Sequence, residues 1–144
     1  MNKKLTTILF ALSLGIPVFA FADGDDHGNH QAQAADDQNR VRARLSGPAI
    51  GGETPAGSSV AQSVDGQNSF RVEVNDVNLP DNTMLVITLI HEGSPMRAGE
   101  LKLTSGSGEL DLHSRNGDQV PQAQSGDMLV VSQGRMKIVA GVYF

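Results

Sequence analysis

From Arg40 to Phe144 the apolar residues recur at every second position and never settle into a helical spacing, which leaves β-strands as the building material. Val41, Ala43 and Leu45 alternate with Arg42 and Arg44, and Phe70, Val72 and Val74 alternate with Arg71, Glu73 and Asn75. Clusters of Gly, Pro, Asn, Asp and Ser interrupt the pattern roughly every 8–12 residues, the punctuation of short strands joined by turns. Further strands are predicted near 58–64, 84–90, 99–104, 109–114, 127–132 and 135–144. The stretch from Met84 to Ile90 is apolar on both faces except at Thr88, so it reads as a central strand. About eight short strands without a helix predict an all-β fold, a small two-sheet antiparallel sandwich of Ig-like type. A small closed β-barrel is the alternative, because alternation is the same in both.

Two hairpins can be given a register. A Gly106-Ser107 loop of type II′ sets Leu103 opposite Leu110 and Leu101 opposite Leu112, with Lys102 facing Asp111, Glu100 facing His113 and Thr104 facing Glu109. A Gln133-Gly134 loop sets Val131 opposite Met136 and Leu129 opposite Ile138. On the final strand Met136, Ile138, Ala140, Val142 and Phe144 share a face, so Phe144 is expected at the edge of the core. Phe70 is expected at its centre.

Ahead of the strands lie two segments of different character. Asn2-Lys3-Lys4 is a cationic start, Leu5 to Val18 is apolar, and Ala20-Phe21-Ala22 places small residues where a signal peptidase cuts. This predicts a signal peptide over 1–22 and export to the periplasm or the extracellular matrix. The apolar stretch is short and interrupted by Gly15 and Pro17, so no membrane anchor is expected. Residues 23–39 hold Asp23, Asp25, Asp26, Asp36 and Asp37 with no Lys, Arg or large apolar side chain, which predicts an acidic disordered leader. Residues 40–144 then form the β domain.

Composition narrows the function classes. The chain has no cysteine, which removes disulfides, thiol catalysis and thiolate metal sites. Residues 40–144 carry nine basic and eleven acidic side chains, a balance with no net footprint for nucleic acid or an anionic membrane. Beyond residue 22 only Phe70, Tyr143 and Phe144 are aromatic, too few to stack bases or sugar rings.

Four groups of residues invite a chemical reading. In the leader, His27 and His30 stand among Asp25 and Asp26, an imidazole–carboxylate set suited to zinc, copper or nickel, although a solvated tether has the same composition. Glu109, Asp111 and His113 share one strand face, but alternate strand residues lie about 6.5–7 Å apart, which favours a solvated, cross-paired face over three ligands. Met84, Met96, Met128 and Met136 with His91 hold the donors of a soft copper site, yet most sit in strand patterns that suit packing, Met96 alone being placed in a loop. His91-Glu92 at a strand end is the one base candidate, and no nucleophile turn or phosphate loop accompanies it.

The series Leu45-Ser46-Gly47-Pro48-x-Ile50-Gly51, Pro55-x-Gly57, Phe70-x-Val72-x-Val74, Val77-Asn78-Leu79-Pro80, Gly108-Glu109-Leu110-x-Leu112, Gly117-x-x-Val120-Pro121 and Gly141-x-x-Phe144 resembles a recurrent small β-rich domain of exported bacterial proteins. The resemblance covers roughly residues 43–144 and implies an autonomous β domain without an assigned activity. Together these readings predict an exported, non-enzymatic binding or structural module without a cofactor, acting on an unidentified protein or matrix partner and not on nucleic acid. The alternative is a weak divalent-metal or copper-binding envelope protein that uses the leader or the Met/His cluster.

Overall fold

The computed structural model describes residues 39–144. Eight strands follow one another: β1 (Arg40–Ser46), β2 (Ala56–Val64), β3 (Gln67–Asn75), β4 (Met84–His91), β5 (Ser94–Lys102), β6 (Gly108–His113), β7 (Met128–Gln133) and β8 (Met136–Val142). Among the described residues one 3-10 turn, Ser114–Asn116, interrupts them.

The expected two-sheet, Ig-like sandwich is not what they build. All eight strands lie in one antiparallel sheet in the order β5-β4-β7-β8-β1-β2-β3-β6, curled until it is nearly closed as a barrel. The junction that rules out two sheets is β8–β1. Ser46 pairs with Ala140, Ala43 bridges Tyr143, and the backbones of Arg42 and Phe144 exchange both of their hydrogen bonds at 3.2 and 2.9 Å. Two glycines permit this approach. A Cβ on Gly47 would lie 1.7 Å from the Ile138 carbonyl oxygen, and one on Gly141 would lie 2.0 Å from that of Arg44.

The barrel closes through side chains where β5 meets β6. Those strands share only the Thr104–Ser107 bridge, and beyond it each follows its other neighbour. Leu110 lies over Gly99, where a Cβ would come within 2.7 Å of its Cδ2, and Leu101 lies over Gly108 with a corresponding 2.5 Å. The hairpin predicted over 101–112 is corrected accordingly. Leu101 pairs with Leu85 and Leu110 with Val72, so the Lys102–Asp111, Glu100–His113 and Thr104–Glu109 pairs do not form.

Turn chemistry explains the register errors. Asp65-Gly66, Glu92-Gly93 and Ser105-Gly106 have positive φ at both loop positions, the type I′ geometry, so glycine stands second in each loop and not first. In the β7–β8 hairpin glycine does stand first: the loop is Gly134-Arg135, and Gln133 pairs with Met136. A bulge beside Val131 and Ser132 then shifts the ladder, setting Val131 opposite Val139 and Leu129 opposite Gly141. That bulge puts Ile138 and Val139 both in the core and inverts the alternation after them. Of the two residues after β8, Tyr143 is therefore the buried one, at 1% exposure, and Phe144 points outward at 66%. Phe70 is wholly buried, as expected.

The interior is filled by the inward rows of every strand, with Phe70, Val72, Val74, Leu85, Ile87, Leu89, Leu129, Val131 and Ile138 at its centre. Tyr143 brings a hydroxyl into this core. Ser59 Oγ donates to the Arg71 carbonyl at 2.8 Å, so its proton is committed, and the Tyr143 hydroxyl donates to Ser59 Oγ at 2.5 Å. Burial pushes the Tyr143 phenol up to about 12, and the charge of Asp127 adds to the shift.

Candidate functional site

At the end of β4 the chain turns tightly through Glu92-Gly93, and His91 and Ser94 form the last pair of the β4–β5 ladder. Antiparallel pairing of β4 with β7 sets Ile90 opposite Met128, which carries His91 past the start of β7 to Asp127. His91 Nδ1 lies 2.8 Å from Asp127 Oδ1. The carboxylate is 4% exposed and is held from several sides: the Gln124 amide donates to its Oδ2 at 2.9 Å, while its own backbone exchanges hydrogen bonds with Gln124 and Tyr143. Each oxygen of this buried carboxylate thus has a hydrogen-bond partner. The His91 imidazole is raised above its ordinary 6.5, chiefly by the hydrogen bond to Asp127 and then by its charge.

With Nδ1–H directed at the carboxylate, Nε2 carries the lone pair and faces outward. By register the diagonal neighbour of His91 across the β4–β5 hairpin is Met96. The structure places Met96 within β5 and not in a loop, opposite Leu89. Leu89 and His91 share a strand face, so Met96 and His91 are diagonal neighbours on the same face, within reach of one another's side chains. Both line an open cavity of about 420 Å³ with Glu92, Ser94, Pro95, Gln122 and Gln124. An imidazole and a thioether side chain therefore line one space, with Gln122 and Gln124 contributing to its wall.

The other methionines of the predicted cluster do not join them. Met84 pairs with Lys102, Met128 with Ile90 and Val142, and Met136 with Gln133, each exposed on the barrel surface. Glu109, Asp111 and His113 do share the outer face of β6. Arg71 holds Glu109 at 2.9 Å, which raises the Arg71 guanidinium further, and His113 Nε2 lies 3.0 Å from Asp111 Oδ1. Their partners are thus each other and β3, not β5. Among the described residues no group of three or more His, Asp and Glu side chains is disposed to hold a metal ion. His27, His30, Asp25 and Asp26 lie outside the described residues.

Three further cavities lack this imidazole–thioether pair. One of about 320 Å³ is lined largely by amides and hydroxyls such as Asn39, Gln62, Asn68 and Gln124. Another of about 390 Å³ includes Asp65, His113 and Arg115, and one of about 360 Å³ lies between Glu73, Lys102 and Glu109.

Sequence reading singled out His91 and Met96 but missed Asp127. Its signal was a lone acidic residue directly ahead of the apolar run Met128-Leu129-Val130-Val131, and only the β4–β7 register shows which residue it meets. Among the described residues no helix is long and apolar enough to cross a membrane. No family model, curated protein or solved structure matches the chain, so the likeness to exported bacterial β domains rests on the quoted residues alone.

Proposed function

We propose that this chain is a copper-binding protein of the cell envelope, exported by its N-terminal signal sequence, that holds one copper(I) ion weakly between His91 Nε2 and Met96 Sδ. The observation that supports this most directly is the Asp127–His91 contact. A carboxylate that fixes the tautomer and orientation of an imidazole, leaving the other nitrogen free, is the arrangement that prepares histidine to ligate a metal. The thioether beside it selects the metal: sulfur of this kind favours soft copper(I) over zinc, magnesium or calcium. Two donors at an open cavity suit copper(I), which accepts low coordination numbers, and leave room for a third donor to take the ion away. The reading is one of binding and exchange, with no turnover.

Because the proton and the metal compete for Nε2 once His91 is cationic, affinity should fall about tenfold per pH unit below the raised imidazole pKa. Anaerobic titration of the purified protein against a chromophoric copper(I) chelator tests the proposal. One equivalent should bind, and His91→Ala or Met96→Leu should abolish it, whereas a His27→Ala, His30→Ala double variant should leave it intact. Binding that vanishes with the two leader histidines and survives at His91→Ala would assign the metal to the leader instead. No binding at micromolar protein would end the copper reading.

A further inference from the structure

The balance of nine basic and eleven acidic side chains over residues 40–144 conceals a segregation. The five adjacent strands β4, β7, β8, β1 and β2 contain no Asp or Glu at all, and they carry Arg40, Arg42, Arg44 and Lys137. The acidic residues lie in the turns and on β3, β5 and β6. On β1 the three arginines occupy consecutive outward positions, about 6.5–7 Å apart. Arg42 has a partner of its own. Among the described residues neither Arg40 nor Arg44 has an ion pair.

Next to this row, on β8, the outward residues are apolar. The register that pairs Arg42 with Phe144 and Ser46 with Ala140 sets Arg44 beside Val142. Met128 pairs with Val142 on the far side, and Ile90 with Met128. Phe144, Val142 and Met128 are 66%, 50% and 42% exposed, a contiguous apolar ridge flanked by arginines.

We infer that this face docks on an anionic phospholipid bilayer. An acidic peptide would satisfy the arginines, but peptide recognition uses a groove or a free sheet edge. Here the five strands of the face are each paired on both sides, and none of the four cavities is lined by these residues. The face is the convex outside of the barrel, from which Phe144, Val142 and Met128 project. A bilayer surface accepts that shape: the apolar ridge enters the boundary between headgroups and acyl chains while the guanidinium groups stay at phosphate level. Each arginine near an anionic surface contributes about a fivefold gain in partitioning. The attachment is peripheral and needs no spanning segment. It is independent of the copper site, which opens at the end of the barrel.

Flotation of the purified protein with vesicles of phosphatidylglycerol and phosphatidylcholine in equal parts, and of phosphatidylcholine alone, tests this. Binding should favour the anionic vesicles and weaken with salt. Arg40→Gln with Arg44→Gln should lower it about 25-fold, about fivefold for each charge removed. Arg40→Lys with Arg44→Lys should retain it, and Phe144→Ser should reduce it at every salt concentration. All these positions are exposed, and unchanged far-UV spectra confirm that the variants fold. Equal partitioning to both vesicles, or no loss in the glutamine variant, overturns the inference. Binding of polyglutamate without binding of vesicles would identify an acidic-peptide surface and overturn it equally.

Discussion

Asp127 holds two parts of the molecule at once: its side chain orients His91, and its backbone ties the start of β7 to Tyr143. Asp127→Asn keeps the shape but removes the charge, so the His91 imidazole should fall back toward 6.5, which NMR titration of its ring protons would show. The sign of the linked stability follows. A histidine raised in the folded state contributes stability that is fully present below about 6.5 and lost as pH rises through its folded value. Tyr143 behaves comparably at alkaline pH, since its phenol keeps its proton to about 12 when folded and to about 10 when unfolded, and stability declines between those values. Tyr143→Phe removes one hydrogen bond and leaves Ser59 bonded to the Arg71 carbonyl, so urea midpoints should report a loss of about 1 kcal/mol. His91 and Met96 were visible in the sequence as chemistry-bearing residues. Asp127 was not, because its meaning depends on which strand lies beside its own.

Strands are where the sequence was most legible. Seven of the eight lie close to their predicted positions, since alternation and turn residues are local properties, whereas β5 begins at Ser94, five residues before the predicted start, and takes in Met96. Pairing was less legible, and β8 shows why. A single bulge beside Val131 and Ser132 inverts the faces of everything after it, and nothing in Lys137-Ile138-Val139-Ala140 announces it. The consequence is testable at two adjacent positions. Phe144→Ala should cost less than about 0.5 kcal/mol, as expected for an exposed site, while Tyr143→Ala should cost about 3–5 kcal/mol. Thermal or urea melts of the two variants would distinguish this from the face implied by uninterrupted alternation, which reverses their order. Gly141→Ala tests the β8–β1 junction: with a Cβ 2.0 Å from the Arg44 carbonyl oxygen, the strands are forced apart at a cost of about 1–3 kcal/mol or more.

For the molecule as a whole, the difference between a sandwich and a barrel reduces to whether β1 and β8 join. Period-two patterning is identical in both, and the residues that decide it, Gly47 and Gly141, look like ordinary turn and motif glycines until their contacts are seen. The core they enclose holds two aromatic rings, Phe70 and Tyr143, of which Phe70 is wholly buried. Phe70→Ala should therefore cost about 3–5 kcal/mol, read from urea midpoints.

The side-chain closure between β5 and β6 has a dynamic consequence. Along most of that line Leu110 against Gly99 and Leu101 against Gly108 replace the ladder that joins every other neighbouring pair. Backbone amides facing the line lack a cross-strand acceptor, so they should exchange with deuterium well before those of β1, β2 and β8, through openings that leave the rest of the barrel intact. The same two leucines shield both raw edges of the sheet from strands of other molecules. A barrel fastened in this way can breathe along one line while keeping its edges out of reach of aggregation.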